Sequence, residues 1–256
     1  MRFSANLSML FTEVPMPERF ALAREQGFSA VEIQFPYQWP ATAIKQWLDE
    51  NALTLVLFNV DADSLLQGGE GLAAVPAKRQ EFRAALQLAA EYATVLQPSC
   101  INVLPGRCLQ AHLKADYWHC LIDNLRLACE VFEEIQVTTV VEAINSLDMP
   151  GFMIDDHAGM LQVLQAVNHP QLKLQYDIYH MAKMQQDIPG FWREHLHKIA
   201  HIQFADCPGR HEPGTGQLDF SCLFADLDRL GYQGFLGAEY KPQVSSVASL
   251  SWFKAI

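Results

Sequence analysis

Basic residues are scarce in this chain. Eighteen Lys and Arg stand against 29 Asp and Glu, for a formal net charge of -11 at pH 7. An acidic surface repels a phosphate backbone, so nucleic acid is not an expected partner. Long apolar runs are missing too. None approaches the roughly 20 residues that a membrane span requires, and no membrane association is expected. The first thirteen residues hold a single Arg, and Ser4, Asn6 and Ser8 interrupt their apolar run, which argues against a signal peptide. The six cysteines (Cys100, Cys108, Cys120, Cys129, Cys207 and Cys222) include no Cys-x-x-Cys pair. They read as free thiols of a reducing compartment rather than as staples, and a cytoplasmic protein is the expectation. No linker, composition break or internal repeat divides the chain.

What the chain does have is a regular alternation of patterns. Half of its 256 residues are hydrophobic and 18% are charged, which is a globular composition. Strands are expected at 2–10, 30–35, 53–60, 100–104, 138–144, 172–177, 199–205 and 234–240. Helices are expected between them at 14–27, 41–51, 77–96, 116–134, 156–168, 189–198 and 220–230, with a terminal helix from Ser246 that closes the bottom or wraps outside. Pro17 and Gly27 punctuate the first helix; Asp219 and Gly231 read as cap and stop of the helix between them. The Gly-containing segment 61–76 reads as a long, functional loop. Eight strands alternating with helices predict a single-domain α/β fold, a (β/α)8 TIM barrel spanning residues 1–256. A doubly wound open sheet is the competing architecture. It would call for a Gly-rich turn after the first strand, and Leu7–Glu13 holds no glycine.

In such a barrel the chemistry sits at the C-terminal ends of the strands. Four successive strands end on oxygen-bearing side chains: Glu142, Asp177, Gln203 and Glu239. A lone acidic residue at a strand end is usually a solvated charge or a turn former. Three carboxylates crowded at one mouth repel one another, and a divalent cation relieves the repulsion. An all-oxygen donor set of Glu142, Asp177, Gln203 and Glu239 suits Mg²⁺ or Mn²⁺ better than Zn²⁺. Strands five and eight are not adjacent, so Glu142 and Glu239 can flank a ligand as an acid/base pair. That geometry fits an aldose–ketose type isomerisation through a cis-enediolate.

The stretches Val141-Glu-Ala-Ile-Asn-Ser-Leu-Asp-Met-Pro-Gly-Phe152, Asp177-Ile-Tyr-His180, His201-Ile-Gln203 and Glu239-Tyr-Lys-Pro242 resemble the hydroxypyruvate isomerase family of xylose-isomerase-like barrels. The opening Ala5–Glu13 and the segment Gly209–Gln217 match as well. The resemblance implies Glu142 and Glu239 as catalytic residues that also bind the metal, with Asp177 and Gln203 completing its site. Keto-sugar 3-epimerases of similar fold carry His where Gln203 stands. The resemblance also implies substrate binding by His180 and Arg210, the latter suited to a keto-acid carboxylate. Lys241 is either a second carboxylate partner or a surface Lys. Asp148 either reaches substrate hydroxyls or caps a turn. Leu104-Pro-Gly-Arg107 departs from the Ala-Gly that relatives often carry after strand four. The expected substrate is a small hydroxy-keto acid of three or four carbons, and relatives suggest a homodimer. A ketose 3-epimerase and a non-catalytic sugar-acid binding protein remain as alternatives. A DNA-repair endonuclease of similar fold is disfavoured, since it would want a His-rich zinc cluster and a basic groove.

Overall fold

The computed structural model describes residues 1–254. The strands are β1 (Arg2–Asn6), β2 (Ala30–Glu32), β3 (Thr54–Asn59), β4 (Cys100–Val103), β5 (Thr138–Glu142), β6 (Leu172–Asp177), β7 (Ile199–Phe204) and β8 (Phe235–Ala238). They pair in parallel in chain order, and β1 closes on β8 from Arg2↔Phe235 to Ala5↔Ala238. The predicted (β/α)8 barrel is therefore the fold. Helices α1 (Met16–Glu25), α2 (Ala41–Glu50), α3 (Arg79–Leu96), α4 (Lys114–Glu134), α5 (His157–Val167), α6 (Ile178–Lys183), α7 (Ile188–His195), α8 (Phe220–Arg229) and α9 (Ser251–Lys254) follow between and after the strands. Among the described residues no helix is long and apolar enough to cross a membrane.

Most of the core lies between strands and helices. Helix α3 buries Phe82, Ala85, Leu86, Ala89, Ala90, Ala93 and Leu96, the i, i+3/i+4 stripe of an amphipathic helix. Phe3, Phe204, Phe224 and Trp252 form an aromatic cluster between the β1/β7 side and α8, with the rings of Phe204 and Trp252 5.0 Å apart. The terminal segment thus wraps outside the barrel: a 3₁₀ turn, Ala248–Leu250, leads into α9.

Local chemistry sets the helix ends. Asp219 caps α8 by accepting from Cys222 N at 3.0 Å, and Gly231, at φ +75°, takes the left-handed conformation just after it. Asp156 caps α5 in the same way through Gly159 N at 2.7 Å. Several boundaries differ from the expected ones. β1 stops at Asn6 because Asn6 Oδ1 accepts from Ser8 N and turns the chain. The segment 61–76 holds a 3₁₀ turn at Asp63–Gln67 and the start of another at Pro76. The short α6, absent from the sequence reading, begins directly on the last residue of β6: Asp177 accepts from Tyr179 N at 2.8 Å and so ends a strand and caps a helix at once.

Behind β6, His157 stacks on Phe191 at 4.1 Å and its Nε2 lies 2.9 Å from Tyr176 Oη. Burial lowers its pKa from 6.5 to about 4. Between these values the unfolded chain takes up a proton that the folded chain refuses, so stability falls as pH drops through this window. Allowing for the ring's partial exposure, the effect is about 1 kcal/mol. His157→Gln should therefore reduce the loss of melting temperature between pH 7 and pH 4.5 by roughly 2–4 °C, read by thermal denaturation. An unchanged pH profile would remove His157 from the acid sensitivity.

Candidate active site

Strand alternation points one set of side chains into the barrel, and toward the C-terminal strand ends that set is polar. Ser4, Asn6, Glu32, Asn102, Glu142, Gln175, Asp177, His201 and Gln203 are all buried. They form two tiers. The lower centres on Glu32, fully buried on β2. Ser4 Oγ donates to its Oε1 at 2.6 Å, Gln203 Nε2 donates to its Oε2 at 2.8 Å, and His201 Nε2 lies 2.8 Å from Oε1. Burial alone would raise this carboxyl's pKa, but the His201 charge and the hydrogen bonds outweigh it and hold the group below its ordinary value. Gly237 makes room for the carboxylate: a Cβ there would sit 2.1 Å from Glu32 Oε1.

The upper tier carries the predicted residues. Glu142 ends β5, and Asn102 Nδ2 donates to its Oε2 at 3.0 Å. Glu239 follows β8. Its Oε1 accepts from Gln34 Nε2 at 2.9 Å and Asn6 Nδ2 at 3.0 Å, and its Oε2 accepts from Arg210 at 2.7 Å. Asp177 Oδ2 is buried with no hydrogen-bond partner; His180 Nε2 lies 3.5 Å away and the Arg210 guanidinium 3.9 Å away. Burial, reinforced by the charges of Glu239 and Asp177, pushes Glu142 well above the usual carboxylate range. Burial likewise raises Asp177 to about 7, against the pull of Arg210. Carboxylate oxygens of Glu142 and Asp177 and a ring nitrogen of His180 lie within 4.8 Å of one another. A buried carboxylate oxygen without a partner, among oxygen donors whose mutual charge is uncompensated, fits a divalent cation.

His180 lies on α6, not in a loop. Asn145 Nδ2 is 2.7 Å from His180 Nδ1, so Nδ1 accepts and the ring proton sits on Nε2, toward Asp177. Burial keeps the ring neutral by lowering its pKa far below the ordinary value. Asp148 accepts from Tyr179 Oη at 2.6 Å and from Asn145 at 3.1 Å, and Lys183 pairs with it at 3.2 Å. Arg210 has left-handed backbone (φ +58°), stacks over Tyr179 at 5.2 Å, and keeps Nε unpaired. Its loop is pinned by Asp206, whose carboxylate accepts from the backbone of Cys207, Gly214, Gly216 and Leu218.

Glu142, Glu239, His180, Arg210, Asp148 and Gln175 line one cavity of ≈ 90 Å³. A larger one, ≈ 760 Å³, lies outside the barrel beside Phe220 and Trp252, without convergent basic or amide groups. Of the predicted residues, Lys241 does not join the site. β8 ends at Ala238, Lys241 is exposed, and its backbone N–H donates to Arg210 O. Arg107 does not reach the cavity either, and instead ties two loops together through Pro150 O and Gly68 O. The sequence reading missed Glu32, Gln175, Asn102 and Asn145. Glu32 and Asn102 had a signal: each is the one polar residue of an otherwise apolar strand.

The profile of the xylose isomerase-like TIM barrel family matches residues 20–256. The chain belongs to that family. Within it, hydroxypyruvate isomerase of Escherichia coli K12 is 37% identical over 252 residues, covering 98% of each chain. A 2-oxo-tetronate isomerase of Cupriavidus necator is also 37% identical, over 99% of this chain and 97% of its own. The crystal structure of a Brucella melitensis protein described as AP endonuclease, family 2, superposes with a TM-score of 0.94 at 35% identity, covering 99% and 98%. This xylose isomerase-like barrel thus falls among relatives named as isomerases.

The raised pKa of Glu142 has a consequence for the cation-free protein. A carboxyl whose folded pKa exceeds its unfolded one costs stability as pH rises, because the folded state must give up a proton that it holds more tightly. Glu142→Gln should therefore raise the melting temperature at pH 8 in chelator, by roughly 2–6 °C. A lowered melting temperature would contradict the crowding of charge described here.

Proposed function

We propose that this enzyme isomerises a small hydroxy-keto acid, hydroxypyruvate or a four-carbon 2-oxo-tetronate, by proton transfer between Glu142 and Glu239. The reading is carried by one observation: two buried carboxylates line one small cavity together with an arginine. The named relatives, an isomerase of hydroxypyruvate and one of 2-oxo-tetronate, support the same substrate class.

Glu142, Asp177, Gln203 and Glu239 would hold Mg²⁺ or Mn²⁺, with His180 close by. Gln203 Oε1 already accepts from Gln175, and one lone pair remains free. Bound there, the ion would polarise the substrate carbonyl and acidify the adjacent C–H. Arg210 takes the substrate carboxylate, for which its unpaired Nε is a free donor. One carboxylate then removes the proton from C3, and an enediolate forms. The other returns a proton to C2, while the hydroxyl proton passes from O3 to O2. Neutral His180 and Asp148 hold substrate oxygens, and Asn145 fixes the His180 tautomer through its Nδ1. The six free cysteines accord with a reducing, cytoplasmic setting.

A 3-epimerase would use the same carboxylate pair, but a neutral ketose leaves Arg210 without a carboxylate partner. Nucleic-acid cleavage, the activity in the name of the Brucella protein, fits poorly with a net charge of -11.

Glu142→Gln and Glu239→Gln should each lower kcat by roughly 10²–10⁴, and chelation should silence the wild-type enzyme. Turnover in D₂O should place deuterium at C2 of the product. Product free of solvent deuterium would replace proton transfer by a hydride shift. Arg210→Ala should raise KM for hydroxypyruvate by roughly 10–100-fold, with a far smaller effect on neutral sugars. Equal effects on both would take Arg210 out of carboxylate recognition.

A further inference from the structure

Gln175 is 2% exposed, and its Oε1 is buried with no hydrogen-bond partner. It lines the cavity that holds Glu142, Glu239 and Arg210. Its orientation is dictated from below. Glu32, held as a carboxylate by Ser4 and His201, can only accept hydrogen bonds. Gln203 must therefore turn its NH₂ to Glu32, at 2.8 Å, which leaves its carbonyl oxygen toward Gln175. That oxygen in turn demands a donor, so Gln175 presents Nε2 to it at 2.5 Å. The one group left over at the end of this chain of amides is Gln175 Oε1. A reversed Gln175 would set two carbonyl oxygens against each other. A reversed Gln203 would set a carbonyl against the Glu32 carboxylate. The order Glu32–Gln203–Gln175 thus has a single direction.

We infer that Gln175 is a specificity-determining residue, whose carbonyl oxygen accepts a hydrogen bond from a substrate hydroxyl. This rests on the hydroxy-keto acid reading given above. In that reading Arg210 takes the carboxylate at the mouth, and C2 and C3 with their oxygens are the reacting unit. The hydroxyl left free is that of C4, which a four-carbon 2-oxo acid has and hydroxypyruvate lacks. Gln175 lies two residues before Asp177 on the same inward face of β6, and so deeper in the barrel. An acceptor buried without a partner favours the ligand that satisfies it and selects against one that leaves it bare. The preferred substrate is accordingly the four-carbon acid, with Gln175 a reader of its terminal hydroxyl and Glu32 a positioning residue acting through Gln203.

The test compares dissociation constants, measured calorimetrically in Mg²⁺ buffer, for 2-oxo-tetronate, its 4-deoxy analogue 3-hydroxy-2-oxobutanoate, and hydroxypyruvate. The wild-type protein should bind 2-oxo-tetronate roughly 5–10-fold more tightly than the 4-deoxy analogue. Gln175→Met should abolish that ratio while binding of Mn²⁺ persists. Glu32→Gln, whose amide accepts either face of Gln203, should shrink the ratio. Gly237→Ala, which crowds the Glu32 carboxylate, should do the same. Equal wild-type affinity for the two four-carbon acids overturns the inference, as does a ratio that survives in Gln175→Met. The functional reading fails separately, when wild-type protein binds these acids with the expected ratio yet turns over none of them.

Discussion

Three carboxylates brought to the mouth of one barrel are the constraint on which the rest of this structure depends. Glu142, Asp177 and Glu239 end strands whose places are fixed by the barrel, so they cannot move apart. Their repulsion is countered in part by Arg210, which pairs with Glu239 and approaches Asp177. It is not fully countered: Glu142 is pushed to a raised pKa and Asp177 keeps an oxygen bare. Such a cluster lowers stability in the empty state and becomes useful when positive charge arrives. The proposed chemistry rests on that feature.

Beneath the rim, the barrel interior is polar where a purely structural core would be apolar. The apolar plug of Ala30, Val56, Leu57, Cys100 and Val140 occupies the bottom. Above it the buried Glu32–His201 contact sets the direction of the Gln203 amide, and through it that of Gln175. A buried polar contact of this kind adds little net stability. Its value here lies in orientation, since an amide is symmetric in shape but not in chemistry. The loops above the rim are held by similar means, with Asp206 gathering the backbone around Arg210 and Asn145 fixing the His180 tautomer.

Much of this was legible in the residues. Alternating β and α patterns were enough for the barrel, because β-branched runs such as Thr138–Val141 and the apolar stripe of α3 leave little choice. Glu142 and Glu239 were readable because an acidic residue at a strand end is visible against the uncharged run behind it. Helix α6 was hidden because Asp177 serves two elements at once, and a six-residue helix has too short a period to see. β8 stops at Ala238, short of the expected residue 240, and the backbone of Lys241 bonds to the Arg210 loop instead of a strand. Glu32 was overlooked although it interrupts an apolar strand, and Gln175 because it sits in the alternating Leu-Lys-Leu-Gln-Tyr-Asp of β6. Their roles come from partners on β7, nearly 30 residues or more away in sequence, which a local pattern cannot report.

The claim that these strand-end groups share one divalent ion is tested most directly by titrating Mn²⁺ into the metal-free protein and counting bound ions by electron paramagnetic resonance. The account predicts one saturable ion per chain, lost in Asp177→Asn while the circular dichroism spectrum stays that of the wild type. A chain that binds no ion, or one whose single ion survives both Asp177→Asn and Glu239→Gln, would contradict it.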